Sequence, residues 1–185
     1  MKWISLFSIS LVMLAFNPAR AAKITDTPSV ARHKEASVTL SSSEERKAFL
    51  ELTGRDFSKL SESSLYSELI ASYQTKNELQ FFAQLDVFLS KYKKGSFADN
   101  ALFLAGRLAL EKKNYAKAIY YFDKVIHKYP SSNKVVSAEL SKGIAYQRMS
   151  LHPLALQVFE RIKKKYPGSP EFYRAESEAK LIRVN

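Results

Sequence analysis

The sequence predicts an all-α fold, a short solenoid of about three stacked helical hairpins closed by a C-terminal capping helix. The first observation behind this is a self-match at an offset of 37 residues. Ala101 falls on Ala138, Gly106 on Gly143, Ala118 on Ala155, Phe122 on Phe159, Lys128-Tyr129-Pro130 on Lys165-Tyr166-Pro167, and Ser132 on Ser169. Self-similarity at a fixed spacing of about 20–50 residues marks supersecondary units that stack. The second observation is composition. Hydrophobic residues make up 46% of the 185 and charged residues 25%, with only five glycines and six prolines. That balance suits a packed helical domain and excludes a loop-rich or collagen-like chain.

The N-terminal 21 residues read as a secretory signal peptide. Lys2 gives a basic start, Trp3 to Phe16 is an uncharged apolar run, and Pro18-Ala19-Arg20-Ala21 places small residues where a signal peptidase reads them, so cleavage is expected between Ala21 and Ala22. The apolar run is 14 residues long, short of the roughly 20 needed to span a bilayer, and no second such run follows. The expected location is therefore the periplasm or the exterior. The chain has no cysteine, which excludes disulfides, thiolate metal sites, thiol nucleophiles and a lipid-modified N-terminal cysteine.

Residues 22–42 are polar, rich in Ser and Thr, and without apolar periodicity, which predicts a flexible tether. Residues 43–63 should hold a short helix and a connection. Ser42 with Glu45 has capping-box spacing ahead of Ala48, Phe49 and Leu52, and Gly54 ends the helix. The repeat domain follows over 64–185, with units of about 64–97, 98–134 and 135–170 and a cap over 171–185. The first unit is the weakest copy: Leu65 matches Leu102, Asn77 matches Asn114, Asp86 matches Asp123 and Tyr92 matches Tyr129, but Lys93 stands where the others have proline. Ala175 falls on Ala138 and opens Arg174 to Ile182, an amphipathic stretch suited to cover the apolar edge of the last repeat.

Within each unit the pattern predicts two antiparallel helices, about Asp99–Lys112 with Tyr115–Lys128, and Val136–Met149 with Pro153–Lys165. Gly106 and Gly143, with Ala118 and Ala155, are small residues that let the two helix backbones of a hairpin approach where they cross. Phe122 and Phe159 lie one helical turn beyond those alanines and are expected to fill the space between one hairpin and the next. Pro130 and Pro167 lack an amide hydrogen and disfavour helix in the preceding residue, so they stop the second helix at a fixed length.

Small residue, aromatic and Tyr-Pro in this order resemble tetratricopeptide repeats over about Ser64 to Ile182. Phe97-Ala98-Asp99-Asn100-Ala101-Leu102-Phe103-Leu104-Ala105-Gly106, then Asn114-Tyr115-Ala116-Lys117-Ala118 and Lys165-Tyr166-Pro167-Gly168-Ser169-Pro170, resemble the C-terminal domain of the Tol-Pal-associated cell-division coordinator family. More distantly, the repeats are similar to those of the outer-membrane assembly lipoprotein of the β-barrel assembly machinery. The resemblance implies a periplasmic, non-catalytic adaptor that binds envelope proteins and links outer-membrane constriction or assembly to cell-wall synthesis. It also implies a concave groove lined by the first helices of successive hairpins. Carried over position by position, that groove comprises Tyr66, Ile70 and Tyr73 in the first unit. The next units add Asn100, Phe103 and Arg107, then Leu140, Ile144, Gln147 and Arg148, with Arg107 and Arg148 the most exposed. Such a groove suits a helix or extended peptide carrying hydrophobic anchors and an acidic group.

Net charge is +11, which favours acidic protein partners, cell-wall polymer or an anionic membrane surface. Lys163-Lys164-Lys165 and the lysines among residues 91–94 fall near the ends of second helices, where they complement the negative end of the helix dipole. They lack the interleaved aromatics of a nucleic-acid surface, so no nucleic-acid partner is expected. His33, His127 and His152 occupy unrelated places, Glu111, Glu139 and Glu160 are spread singly as exposed carboxylates would be, and no phosphate loop or nucleophile motif occurs. No enzyme activity, cofactor or metal is expected. Two functional classes follow: an envelope scaffold that binds proteins through the groove, and a basic peripheral binder of cell-wall polymer or anionic membrane.

Overall fold

The computed structural model describes residues 56–184 together with Glu44, Lys47, Glu51 and Gly54. The expected leader, its cleavage point and the tether over 22–42 lie outside the described residues. Of the short helix expected after Ser43, Glu44, Lys47 and Glu51 are helical, and Gly54 takes left-handed backbone at φ +65°. A 3-10 turn, Phe57–Lys59, then leads into seven helices: α1 Glu62–Gln74, α2 Glu78–Lys91, α3 Ala98–Glu111, α4 Tyr115–Lys128, α5 Val135–Arg148, α6 His152–Lys165 and α7 Pro170–Val184. Among the described residues there is no strand, and no helix is long and apolar enough to cross a membrane. Helices α1 with α2, α3 with α4 and α5 with α6 form three hairpins, and α7 packs on α6 and α5. The architecture is the short helical solenoid with a terminal cap that the 37-residue period predicts.

The turn inside each hairpin repeats atom for atom. Lys76, Lys113 and Ser150, spaced 37 apart, adopt φ of 56°, 62° and 59°. Their amides close on the carbonyls of Tyr73, Leu110 and Gln147 at 3.1, 3.0 and 2.9 Å. The next amides, of Asn77, Asn114 and Leu151, reach back to Ser72, Ala109 and Tyr146 at 3.0, 2.9 and 2.9 Å. This paired closure satisfies the last helix carbonyls and places one residue in the left-handed region, where glycine is usual. Asn77 and Asn114 then cap the second helix, accepting the amides of Gln80 and Lys117 at 3.2 Å, whereas Leu151 offers no such cap and Pro153 enters α6 at its first turn instead.

Lys113 is exposed at that turn, and its side chain makes no ion pair among the described residues, while Lys76 pairs with Glu111. Replacing Lys113 with glycine removes a left-handed penalty of about 1–2 kcal/mol and adds about 0.5–1 kcal/mol of unfolded-chain entropy. Lys113→Gly is therefore expected to stabilise the fold by about 0.5–1 kcal/mol. Urea denaturation reads this as a higher midpoint at unchanged slope. A lower midpoint would mean that the turn in solution is not left-handed.

Between hairpins the chain turns at Tyr92, Tyr129 and Tyr166, with φ of −122°, −130° and −128°. Their carbonyls accept the amides of Gly95, Ser132 and Ser169 at 2.8, 2.9 and 3.3 Å. Pro130 and Pro167 follow two of these tyrosines, but Tyr92 adopts the same backbone φ with Lys93 after it. The stop thus belongs to the tyrosine turn, and the proline reinforces it. The hydroxyl of Tyr92 donates to the Leu60 carbonyl at 2.9 Å, and that of Tyr129 donates to the Lys93 carbonyl, so each ties its junction to the preceding one.

The core shows why a glycine faces each aromatic. Phe122 and Phe159 are fully buried, as are Ala118 and Ala155. A Cβ built on Gly106 would lie 2.5 Å from Phe122 Cε1, and one on Gly143 2.5 Å from Phe159 Cε1. The expectation that these glycines admit a helix backbone is corrected: each admits the aromatic ring of its own hairpin. The same contacts seat Phe122 and Phe159 against the glycines of their own hairpins, and the clusters that hold them reach Ala138 and Ala175 of the following units. The first hairpin has Leu69 and Leu85 at the equivalent positions, both buried, so two medium side chains fill the space of one large and one absent. Successive first helices α1, α3, α5 and α7 touch one another along the array, while successive second helices hardly do, so the first helices lie on the inner side of the curve.

Candidate partner-binding groove

The inner face is built by the period. Because 37 residues carry each first helix onto the next, Tyr66, Phe103, Leu140 and Ser177 occupy one register row, and Ile70, Arg107, Ile144 and Leu181 occupy the row a turn further on. Of the ten residues placed in this groove by sequence, Tyr66, Ile70, Tyr73, Asn100, Phe103, Leu140, Ile144 and Gln147 are half-buried, and Arg107 and Arg148 are exposed. Half-burial reflects their packing: Phe103 lies tilted on Phe122 with centroids 5.9 Å apart, and Leu140 and Ile144 flank the buried cluster around Phe159.

The groove has two ends of different chemistry. Near the N-termini of the first helices, Tyr66 stacks on Phe97 with centroids 4.4 Å apart, and the Asn100 side-chain amide donates to its hydroxyl. The Tyr66 hydroxyl and the Asn100 side-chain nitrogen are thereby committed to the α1–α3 contact. Near the C-termini, Glu111 gathers three groups. Tyr73 donates to it at 3.1 Å, Lys76 pairs with it directly, and Arg107 stands 3.8 Å away. Partial burial opposes the Glu111 charge, but the hydrogen bonds from Lys76 and Tyr73 and the charges of Lys76 and Arg107 outweigh it and hold the carboxyl below its ordinary value. Burial pushes the Tyr73 phenol up, with Arg107 opposing and Glu111 adding to the rise. Arg107 is thus partly neutralised inside the protein, whereas Arg148 makes no ion pair among the described residues.

An open pocket of about 480 Å³ lies between α5 and α7, lined by Leu140, Glu171, Tyr173, Arg174 and Ser177. Tyr173, one of the most exposed large hydrophobics at 59%, forms its wall. These α7 residues are absent from the sequence-derived groove. The Ala175 to Ala138 match that identifies the cap also sets Ser177 on Leu140, and carrying the groove positions through it finds Arg174 and Ser177 but not Glu171 or Tyr173. The helix that closes the array on one side thus extends its inner face on the other.

Two other sequence expectations change. Glu139 is not an exposed carboxylate: it is 6% exposed, with Oε1 3.8 Å from Lys165 Nζ. Glu111 keeps the exposure expected of it but does not stand singly, being bound into the cluster above. Lys163 pairs with Glu160 at 3.2 Å, so this part of the Lys163–Lys165 run is internally matched. Among the described residues no group of three or more His, Asp or Glu is placed to hold a metal ion.

Residues 100–132 and 137–169 match the tetratricopeptide repeat. The chain therefore carries tetratricopeptide repeats, and the two matched stretches fall on the α3–α4 and α5–α6 hairpins with the turns that follow them. A search of curated proteins finds no match.

Proposed function

We propose that this tetratricopeptide-repeat chain is an exported, non-catalytic adaptor that binds a protein partner of the cell envelope along the inner face of α1, α3, α5 and α7. Repeats of this kind build extended concave surfaces for protein binding. The observation that carries the reading is the open pocket on that face beside Leu140 and Tyr173, in an array that also presents Arg148, exposed and without an ion pair among the described residues. A pocket walled by Leu140 and Tyr173, with a cation in the same row of helices, suits an amphipathic helix or extended peptide with hydrophobic anchors and an acidic group. The features of residues 1–21 support export. The likeness of residues 97–106, 114–118 and 165–170 to the Tol-Pal-associated coordinator family supports a role in cell division or outer-membrane maintenance.

The test is affinity capture from cell-envelope extract at moderate salt by the chain from Ala22 to Asn185, beside an Arg107→Ala/Arg148→Ala variant. Defined proteins retained by the native chain, rebound when purified, and lost at least tenfold by the variant are the expected result. Capture of polymer or lipid alone, released as salt rises, would replace the groove with charge-driven surface binding, because screening removes exposed electrostatic attraction and spares apolar contact.

A further inference from the structure

A second pocket, of about 350 Å³, opens where α2, α3 and α4 meet. Lys93, Lys94, Lys124 and Lys128 surround it, Leu89 and Leu102 floor it, and Tyr129 closes one side. None of the four lysines has a carboxylate within 4.0 Å among the described residues. Lys124 rests over the Tyr120 ring at 4.1 Å, and the negative ends of α2 and α4 offset roughly one charge in all. The pocket therefore keeps a strong positive field over an apolar floor.

The next junction along the array supplies the comparison. Moving each residue forward by 37 carries Leu102 onto Glu139, Lys124 onto Arg161, Lys128 onto Lys165 and Tyr129 onto Tyr166. There the floor position is itself a buried carboxylate, with Lys165 Nζ 3.8 Å from Glu139 Oε1. Lys93 and Lys94 become Pro130 and Ser131, so two of the four cations are also gone. One junction thus carries its own anion with fewer cations, and the other carries more cations and a leucine in place of the anion. The fold accommodates a carboxylate at this spot against the lysine that ends the second helix, and in the first junction no described residue provides one to the four lysines; Asp99, whose charge reaches Tyr129, is bound by Ser132.

We propose that the α2–α3–α4 pocket takes an acidic side chain of a protein partner, its carboxylate among Lys124, Lys128, Lys93 and Lys94 and a neighbouring apolar side chain on Leu89 and Leu102. This rests on the adaptor reading and adds to it a second contact, formed by the second helices rather than the inner face. Carboxylate is the chemistry because the equivalent place holds one. A peptide is the source because the floor is apolar and Tyr129 offers a flat wall to a hydrophobic neighbour of the acid.

The probe is a fluorescein-labelled peptide of repeating Glu-Leu pairs, titrated against the full chain and followed by anisotropy, beside its Gln-Leu counterpart. The Glu-Leu peptide is expected to bind at least tenfold tighter. Lys124→Gln/Lys128→Gln should weaken it tenfold or more, and so should Leu102→Glu, which installs the anion that Glu139 provides next door and leaves all four lysines in place. Arg107→Ala/Arg148→Ala should weaken this peptide less than Lys124→Gln/Lys128→Gln does, which separates failure of this pocket from failure of the inner face. Circular dichroism checks that each variant folds, and if Leu102→Glu does not, the lysine pair decides. Equal binding of the two peptides overturns the proposal, as does native affinity in the lysine variant. Binding of inorganic phosphate or of phosphatidylglycerol vesicles through these lysines, with the peptide ignored, also overturns it.

Discussion

Phe122→Ala is expected to lower folding stability by about 3–5 kcal/mol, the range for truncating a fully buried aromatic. Phe122 has no exposed surface, and its ring fills the notch left by Gly106 and tilts on Phe103 at 5.9 Å. The wall beneath the ring is a helix with no side chain at that point, so nothing local can move in when the ring is removed. Closing the hole would require α3 and α4 to approach each other, and that would disturb the left-handed turn at Lys113 that joins them. Phe122 also lies in the cluster that includes Ala138 of the next hairpin, so the loss reaches the junction between repeats as well. In a solenoid, stability is a sum of repeat and interface terms, and this residue contributes to both. Urea denaturation followed at 222 nm measures the change. A loss below about 1 kcal/mol would place the ring outside the hairpin interior.

The parts of the fold that were legible in the sequence are those in which one residue does the same work in each repeat. Gly106 and Gly143, Phe122 and Phe159, and the three tyrosines at the junctions keep their identities, so an offset of 37 exposes them. The first hairpin is faint because its solution is a joint one. Leu69 and Leu85 replace a glycine and a phenylalanine together, and neither leucine alone resembles what it replaces. The reason for the glycines was also hidden, since only coordinates distinguish room for a ring from room for a backbone. The inner face could be numbered by register, but its continuation onto Arg174 and Ser177 needed α7 to be treated as the first helix of an unfinished repeat, and Tyr173 lies off that register. The lysine pocket was least legible. Its residues come from the two helices of one hairpin, a helix of the preceding hairpin and the loop after it, and as a sequence its lysines read as ordinary helix-end cations. Glu139 was misjudged for a related reason: a lone glutamate on a helix is ordinarily solvated, and its burial near Lys165 depends on how the next hairpin packs.

Gly143→Ala is expected to destabilise by about 1–3 kcal/mol, the usual range for overpacking a filled core. In an unconstrained helix interior the same change stabilises by about 1 kcal/mol, so the sign alone reports what faces the glycine. The added Cβ would lie 2.5 Å from Phe159 Cε1 and 3.1 Å from Val158 Cγ1, and neither has free space to yield into because both side chains are buried. In a Phe159→Ala background that obstruction is gone, and Gly143→Ala should become neutral or stabilising as helix propensity takes over. The double-mutant cycle should therefore give a coupling of about 1–3 kcal/mol. The first hairpin extends the argument to a full exchange. Leu69 and Leu85 stand where the other hairpins have glycine and phenylalanine, so Gly143→Leu should be severely destabilising by itself, while Gly143→Leu with Phe159→Leu should recover much of the loss. Thermal unfolding of the native chain, Gly143→Leu, Phe159→Leu and the double variant tests this. A double variant no more stable than Gly143→Leu would mean that the two packings are not interchangeable, and that the surroundings of the ring, Val158 and Ala175 among them, demand an aromatic at Phe159.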